Sequence, residues 1–158
     1  MTQKRFELVL ASGSPRRREI LRTIGLEHRV LTSNVDETPI PGEAGREYAL
    51  RAAADKANAV ARGADSCLVL GADTVVEINH EILGKPRSTQ EAESMLGRLS
   101  GNDHYVHTSM ALVHDGKCEV LVDTATVRFK ELEPDIIRWY VATGEPMDKA
   151  GAYAIQGI

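Results

Sequence analysis

The block Cys67-Leu68-Val69-Leu70-Gly71-Ala72-Asp73 sets an acid at the end of a nearly continuous apolar run. A carboxylate in such a setting needs a cation or hydrogen-bond donors, so Asp73 is the leading candidate for chemistry. The plain alternative is a turn or cap residue bonded to local backbone. Upstream, Ser12-Gly13-Ser14-Pro15-Arg16-Arg17-Arg18 puts three guanidinium groups where a helix starts. The positive end of the helix dipole disfavours each by roughly 0.3–1 kcal/mol. An anion resolves the conflict, because turn N–H groups, the Ser12 and Ser14 hydroxyls and the planar forks all offer donors to a phosphate. A solvated arginine turn with an ordinary serine cap fits these residues alone equally well. Lys56 lies at the edge of an alanine stripe, from which it reaches inward to a phosphate or snorkels into water, the commoner fate. Lys85 is fixed between Gly84 and Pro86 and is either an aimed charge or a turn lysine. Asp36 and Glu37, in the Pro-bounded loop Asp36-Glu37-Thr38-Pro39-Ile40-Pro41-Gly42, suit a cation, although solvation is the commoner state of an acidic pair.

The elements that must position these groups follow from periodicity. Phe6, Leu8, Val9 and Leu10 make a short strand, and Ile20, Leu21 and Ile24 recur at helical spacing between a Ser14 N-cap with Pro15 and a Gly25 stop. Glu27–Leu31 reads as a second short strand. A long alanine-rich helix is expected from Glu43 to about Arg62, with Ala49, Ala53, Ala57 and Val60 on one stripe. The continuous apolar run ending at Asp73 suggests a central strand covered on both faces, and α/β sheets put ligands at the carboxyl ends of such strands. Val75–Ile78 and Glu81–Leu83 form a hairpin around Asn79-His80. Ser88 caps a helix ending near Leu99, and His104–Val113 with Glu119–Phe129 form a second hairpin. His104 and His107 are strand side chains without zinc-ligand spacing. A last amphipathic helix carries Ile136, Ile137, Tyr140 and Val141 between Glu133-Pro134 and Gly144.

With 158 residues, 42% of them hydrophobic, the chain buries a real core and one domain is the default. The net charge of −4 gives no general field for nucleic acid or anionic membranes, so a phosphate must be held by a local cationic cluster. Only 4% of residues are aromatic, which argues against a stacking platform for nucleic acid. Cys67 and Cys118 are widely separated and read as reduced, Cys67 as core filler. No run approaches the ~20 apolar residues that span a bilayer, and a cytoplasmic enzyme or binding protein fits best.

The blocks Ser12-Gly13-Ser14-Pro15-Arg16-Arg17, Gly71-Ala72-Asp73-Thr74-Val75-Val76, Leu83-Gly84-Lys85-Pro86, Leu99-Ser100-Gly101 with His104, and Gly144-Glu145-Pro146-Met147-Asp148-Lys149-Ala150-Gly151-Ala152-Tyr153 with Ile155-Gln156-Gly157 closely resemble the Maf family of nucleoside triphosphate pyrophosphatases. They occur in the family order over nearly the whole chain. Gly-Ala-Asp-Thr, Asp-Lys-Ala-Gly-Ala-Tyr and Ile-Gln-Gly resemble the branch acting on dTTP and UTP rather than the 7-methyl-GTP branch.

The resemblance implies an α/β fold with a mixed central sheet flanked by helices, two-lobed with a cleft. It also implies a divalent cation, Mg2+ or Mn2+, and commonly a homodimer. Residue by residue it carries Asp73 over as proton acceptor, and Arg16, Thr74 and Gln156 as positions that set substrate choice. Ser12, Ser14, Arg17, Lys56 and Lys85 match the groups around the triphosphate, and Glu37 with Asp73 the metal site. The Gln156 amide offers one donor and one acceptor to a pyrimidine edge, although adenine satisfies an amide too. The chain departs from the family at Thr108-Ser109-Met110, where Thr-Gly-Val is usual, so the backbone there is expected to be less free to approach a neighbour. The family also continues past a position like Ile158 into an Asn-Val-Val-Gly-Leu-Pro stretch, so a single domain over 1–158 lacking that segment is expected. The alternatives are a pyrophosphatase of the same fold for CTP or 7-methyl-GTP, and a non-enzymatic regulator of septum formation.

Overall fold

Eleven residues from Leu68 to Ile78 form one uninterrupted strand, and Asp73 stands at its centre rather than at its end. Thr74, Val75, Val76 and Ile78 are β-branched and carry the strand on past the acid. The computed structural model describes residues 6–64 and 66–158. The elements in order are β1 (Leu8–Leu10), α1 (Pro15–Thr23), β2 (Arg29–Val30), α2 (Gly45–Ala61), β3 (Leu68–Ile78), β4 (Glu81–Leu83), α3 (Thr89–Leu99), β5 (Asp103–His114), β6 (Lys117–Arg128) and α4 (Pro134–Ala142), followed by 3-10 turns at Glu145–Asp148 and Ala150–Ala152. Among the described residues six strands form a mixed sheet in the order β2-β1-β3-β5-β6, with β4 on β3. β1 pairs in parallel with β2 and β3, and β3 pairs antiparallel with β4. The α/β class with a mixed sheet is as expected.

The chain divides into two compact units. One comprises the residues up to Ile40, Glu47–Asp73 and Thr108–Val122; the other comprises Pro41–Arg46, Thr74–His107 and Asp123–Ile158. In the first, Val9 and Val69 are fully buried with Ala53, Ala57 and Ala111, each valine contributing about 1.5–3 kcal/mol by burial. The alanine stripe lets α2 touch the strand. A Cβ placed on Gly71 would lie 2.2 Å from the Ala53 carbonyl oxygen and 2.8 Å from the Ala57 nitrogen, so no other residue fits there. Gly71 and Asp73 share one face of β3, and Lys56, next to Ala57, is thereby brought to that face. Cys67 belongs to this core, and both cysteines are free thiols.

At Thr108-Ser109-Met110 the serine side chain meets α2. Ser109 is fully buried, and its hydroxyl donates to the Ala49 carbonyl of α2. The extra Cβ and hydroxyl are accommodated because the helix residue opposite is only an alanine.

In the second unit Leu83, Ala92, Leu96, Leu99 and Val141 pack together. The β3–β4 turn places Asn79 and His80 at φ 51° and 63°, the paired left-handed conformation that matches strand twist. Ser88 caps α3 by accepting the Glu91 N–H at 3.1 Å, a bond worth about 1 kcal/mol. Ser14 occupies the N-cap position of α1 but makes no side-chain cap bond, and its backbone N–H donates to the Ser12 hydroxyl at 3.3 Å. Among the described residues no helix is long and apolar enough to cross a membrane.

Candidate active site

The arginine turn and the strand acid meet in the first unit. α1 starts on Pro15, so Arg17 lies in its first turn and its side chain swings back over the preceding loop. Its Nη1 donates to the Ser12 hydroxyl at 2.9 Å and to the Ala72 carbonyl at 2.8 Å. Arg17 thus ties the turn after β1 to the residue before Asp73. Burial pushes its guanidinium below the usual range, while the charges of Asp73 and Glu37 pull it back up and Arg16 adds a like-charge push downward. It stays cationic at neutral pH.

Asp73 is buried, and so is Lys56, whose Nζ donates to Asp73 Oδ1 at 2.7 Å. The same ammonium donates to Glu37 Oε2 at 2.8 Å. Lys56 does not snorkel. Leaving Asp73 alone in the interior would cost several kcal/mol, which exceeds the cost of ordering a lysine side chain. Glu37 is likewise more than a solvated loop acid, although half of its side chain stays exposed. The loop holds it in place: Asp36 accepts the Thr38 N–H at 2.9 Å and the Thr38 hydroxyl at 2.6 Å, bonds that keep its carboxyl below the usual range. Tyr48, in the first turn of α2, donates its hydroxyl to the Glu37 carbonyl at 2.8 Å.

The structure therefore brings Ser12, Arg17, Glu37, Lys56 and Asp73 together. Arg16 is exposed in the same helix turn, and Ser14 is half-buried beside Ser12. The other expected residues belong to the second unit: half-buried Thr74 directly after Asp73, Lys85 exposed after β4, and Gln156 exposed in the bend after Tyr153. The backbone before Lys85 is pinned, since the Gly84 carbonyl accepts the Gly151 N–H at 3.0 Å. Sequence reasoning missed Tyr48 and the Ala72 carbonyl. A carbonyl has no side-chain signature, whereas a tyrosine one helical turn into a helix that follows an acidic loop was a readable signal.

The two histidines are strand side chains with local partners. His104 Nε2 lies 2.6 Å from the Tyr153 hydroxyl among the rings of Phe129 and Tyr153, and burial pushes its imidazole below the ordinary value. His107 Nδ1 lies 2.8 Å from the Thr124 hydroxyl.

Chemically the cluster is two carboxylates, a shared ammonium and a half-buried guanidinium. Carboxylate oxygens from β3 and the 36–38 loop are hard donors of the kind that hold Mg2+ or Mn2+. Among the described residues no three acidic, histidine or cysteine side chains gather as a metal cage. Two carboxylates suit a cation whose remaining positions are filled by water and phosphate oxygens, the usual arrangement for Mg2+.

Comparison with known proteins agrees with this chemistry. The family model described as Maf-like protein matches residues 7–158. A dTTP/UTP pyrophosphatase of Anaeromyxobacter sp. (strain Fw109-5) is 50% identical over 159 residues, covering 97% of this chain and 75% of its own length. Another dTTP/UTP pyrophosphatase, from Pelotomaculum thermopropionicum, is 50% identical over 153 residues, covering 96% of this chain and 80% of its own. In fold, the chain is similar to the solved structure of a HAM1 protein from Coxiella burnetii, with a TM-score of 0.52 and 19% identity over 78% of this chain and 73% of that one. With the family model spanning nearly all of it, the chain belongs to the Maf family.

Proposed function

We propose that this protein is a nucleoside triphosphate pyrophosphatase that hydrolyses dTTP and UTP to the nucleoside monophosphate and pyrophosphate. The carrying observation is the buried Lys56 bonded to both Asp73 and Glu37, with Arg17 fixed one residue away on β3. The names of relatives half identical to this chain support the substrate class.

Asp73 accepts a proton from a water molecule as the oxygen attacks the α-phosphorus. The bond from that phosphorus to the oxygen bridging to the β-phosphate breaks, and pyrophosphate leaves with the electron pair. Arg17, Lys56 and Lys85, with the Ser12 and Ser14 hydroxyls, neutralise and orient the triphosphate, a role that positioned donors fill without reorganising during the reaction. Glu37 and Asp73 would hold a Mg2+ or Mn2+ ion, which supplies Lewis-acid polarisation of the phosphate oxygens when bound. Arg16, Thr74 and Gln156 set the choice of nucleotide, Gln156 by pairing its amide with the pyrimidine edge. The protein acts as a cytoplasmic homodimer on a free nucleotide, without nucleic acid or membrane as partner.

Hydrolysis of UTP in 18O-labelled water tests the bond that is cleaved. The label is expected in UMP and absent from pyrophosphate. Label in pyrophosphate would mean attack at the β-phosphorus and would overturn the role given to Asp73.

A further inference from the structure

β3 carries a second buried acid, Glu77, which none of the chemistry above uses. Its Oε2 accepts the Gly45 N–H at 2.7 Å, and this is the first amide of α2. The fit is close: a Cβ on Gly45 would stand 2.5 Å from Glu77 Oε2 and 3.1 Å from His107 Cδ2. His107 Nε2 lies 3.4 Å from the same carboxylate oxygen while its Nδ1 is held by Thr124. His80 faces the other oxygen at 3.8 Å with its side chain fully in solvent. A carboxylate at the start of a helix satisfies an orphan N–H and complements the dipole.

From that first turn Tyr48 reaches the Glu37 carbonyl, and the Glu37 carboxylate meets Lys56 eight residues beyond Tyr48 on the same helix. We infer that Glu77 is a positioning residue for the active site: through the Gly45 amide it fixes the first turn of α2, and Tyr48 transmits that placement to Glu37. The inference rests on the reading of Glu37, Lys56 and Asp73 as a pyrophosphatase site. Glu77 touches none of the reacting groups. It explains why α2 begins at Gly45 rather than at Glu43, and why a glycine starts a helix that is otherwise rich in alanine.

The test is hydrogen exchange of the whole chain, read segment by segment without nucleotide, in wild type, Glu77→Ala, Glu77→Gln and Tyr48→Phe. Glu77→Ala should speed exchange in residues 44–49 and 35–40 and leave α3 and α4 unchanged. Tyr48→Phe should speed it in 35–40 alone. Glu77→Gln, which keeps an oxygen for the Gly45 N–H, should stay near wild type. In kinetics, Glu77→Ala and Tyr48→Phe should raise the Mg2+ concentration for half-maximal pyrophosphate release about tenfold, a loss typical of groups that orient a ligand residue, with kcat at saturating Mg2+ within about twofold of wild type. Unchanged exchange in 35–40 in Glu77→Ala, or a uniform rise across the chain, would overturn the inference. If the wild type releases no pyrophosphate, the functional reading fails while the exchange pattern still decides the positioning by Glu77.

Discussion

Asp73 and Glu77 stand four residues apart on one strand and, by its alternation, on one face, yet they are met in different ways. Asp73 is met by a long flexible cation from the interior of α2, and through it by a half-exposed loop acid. Glu77 is met by the backbone amide of Gly45, with the His107 and His80 imidazoles 3.4 and 3.8 Å from its oxygens. The first arrangement can exchange partners with a phosphate or a metal. The second can only hold. Burial alone therefore does not mark a catalytic acid, and the mobility and charge of its partner do.

The strongest way to break this contrast is to remove the shared cation. Lys56→Met leaves Asp73 buried without its counter-charge, which should destabilise the protein by about 3–5 kcal/mol at neutral pH in urea unfolding. Lys56→Met with Asp73→Asn should recover most of that loss while remaining inactive. If the single variant is as stable as wild type, the pair is not the tight one described. A smaller effect is expected where the distance is set. Gly71→Ala forces α2 off β3 and should cost about 1–3 kcal/mol by denaturant midpoint, whereas Gly84→Ala, into open space, should change stability by no more than about 0.5 kcal/mol.

The smallest effect concerns His104. Burial lowers its folded value, so the unfolded chain binds the proton more readily as pH falls through about 6.5. Stability from this group is present above that pH and is lost below it. Unfolding midpoints from pH 7.5 to 5.5 should fall in wild type and flatten in His104→Phe. An equal slope in the variant would assign the dependence to other groups.

Much of this was legible in the sequence for physical reasons. Arg17 and Asp73 were singled out because cations at a helix start and an acid in an apolar run are both costly without a partner, whereas Glu37 and Lys56 were placed at the site by the family resemblance. The β3–β4 turn and the Ser88 cap followed from local rules that need no tertiary context. Asp73 was misplaced to a strand end because an isolated acid interrupts the apolar pattern, and only the lysine from another element makes it tolerable mid-strand. The fate of Lys56 could not be read either, since snorkelling and inward pairing share one helical position. Ser14 fits every sequence rule for a cap yet its side chain makes no cap bond. Glu77 passed as an ordinary strand residue because its partner is an amide, which no sequence pattern displays.

The measurement closest to the centre of this account is pyrophosphate release from dTTP, UTP, CTP, GTP and 7-methyl-GTP with Mg2+ or Mn2+, comparing wild type with Asp73→Asn. Release from dTTP and UTP is expected, falling by about 10²–10⁴-fold in the variant, the range for loss of a positioned general base. A folded wild-type protein that releases none from dTTP or UTP, or an Asp73→Asn variant as active as wild type, would contradict it.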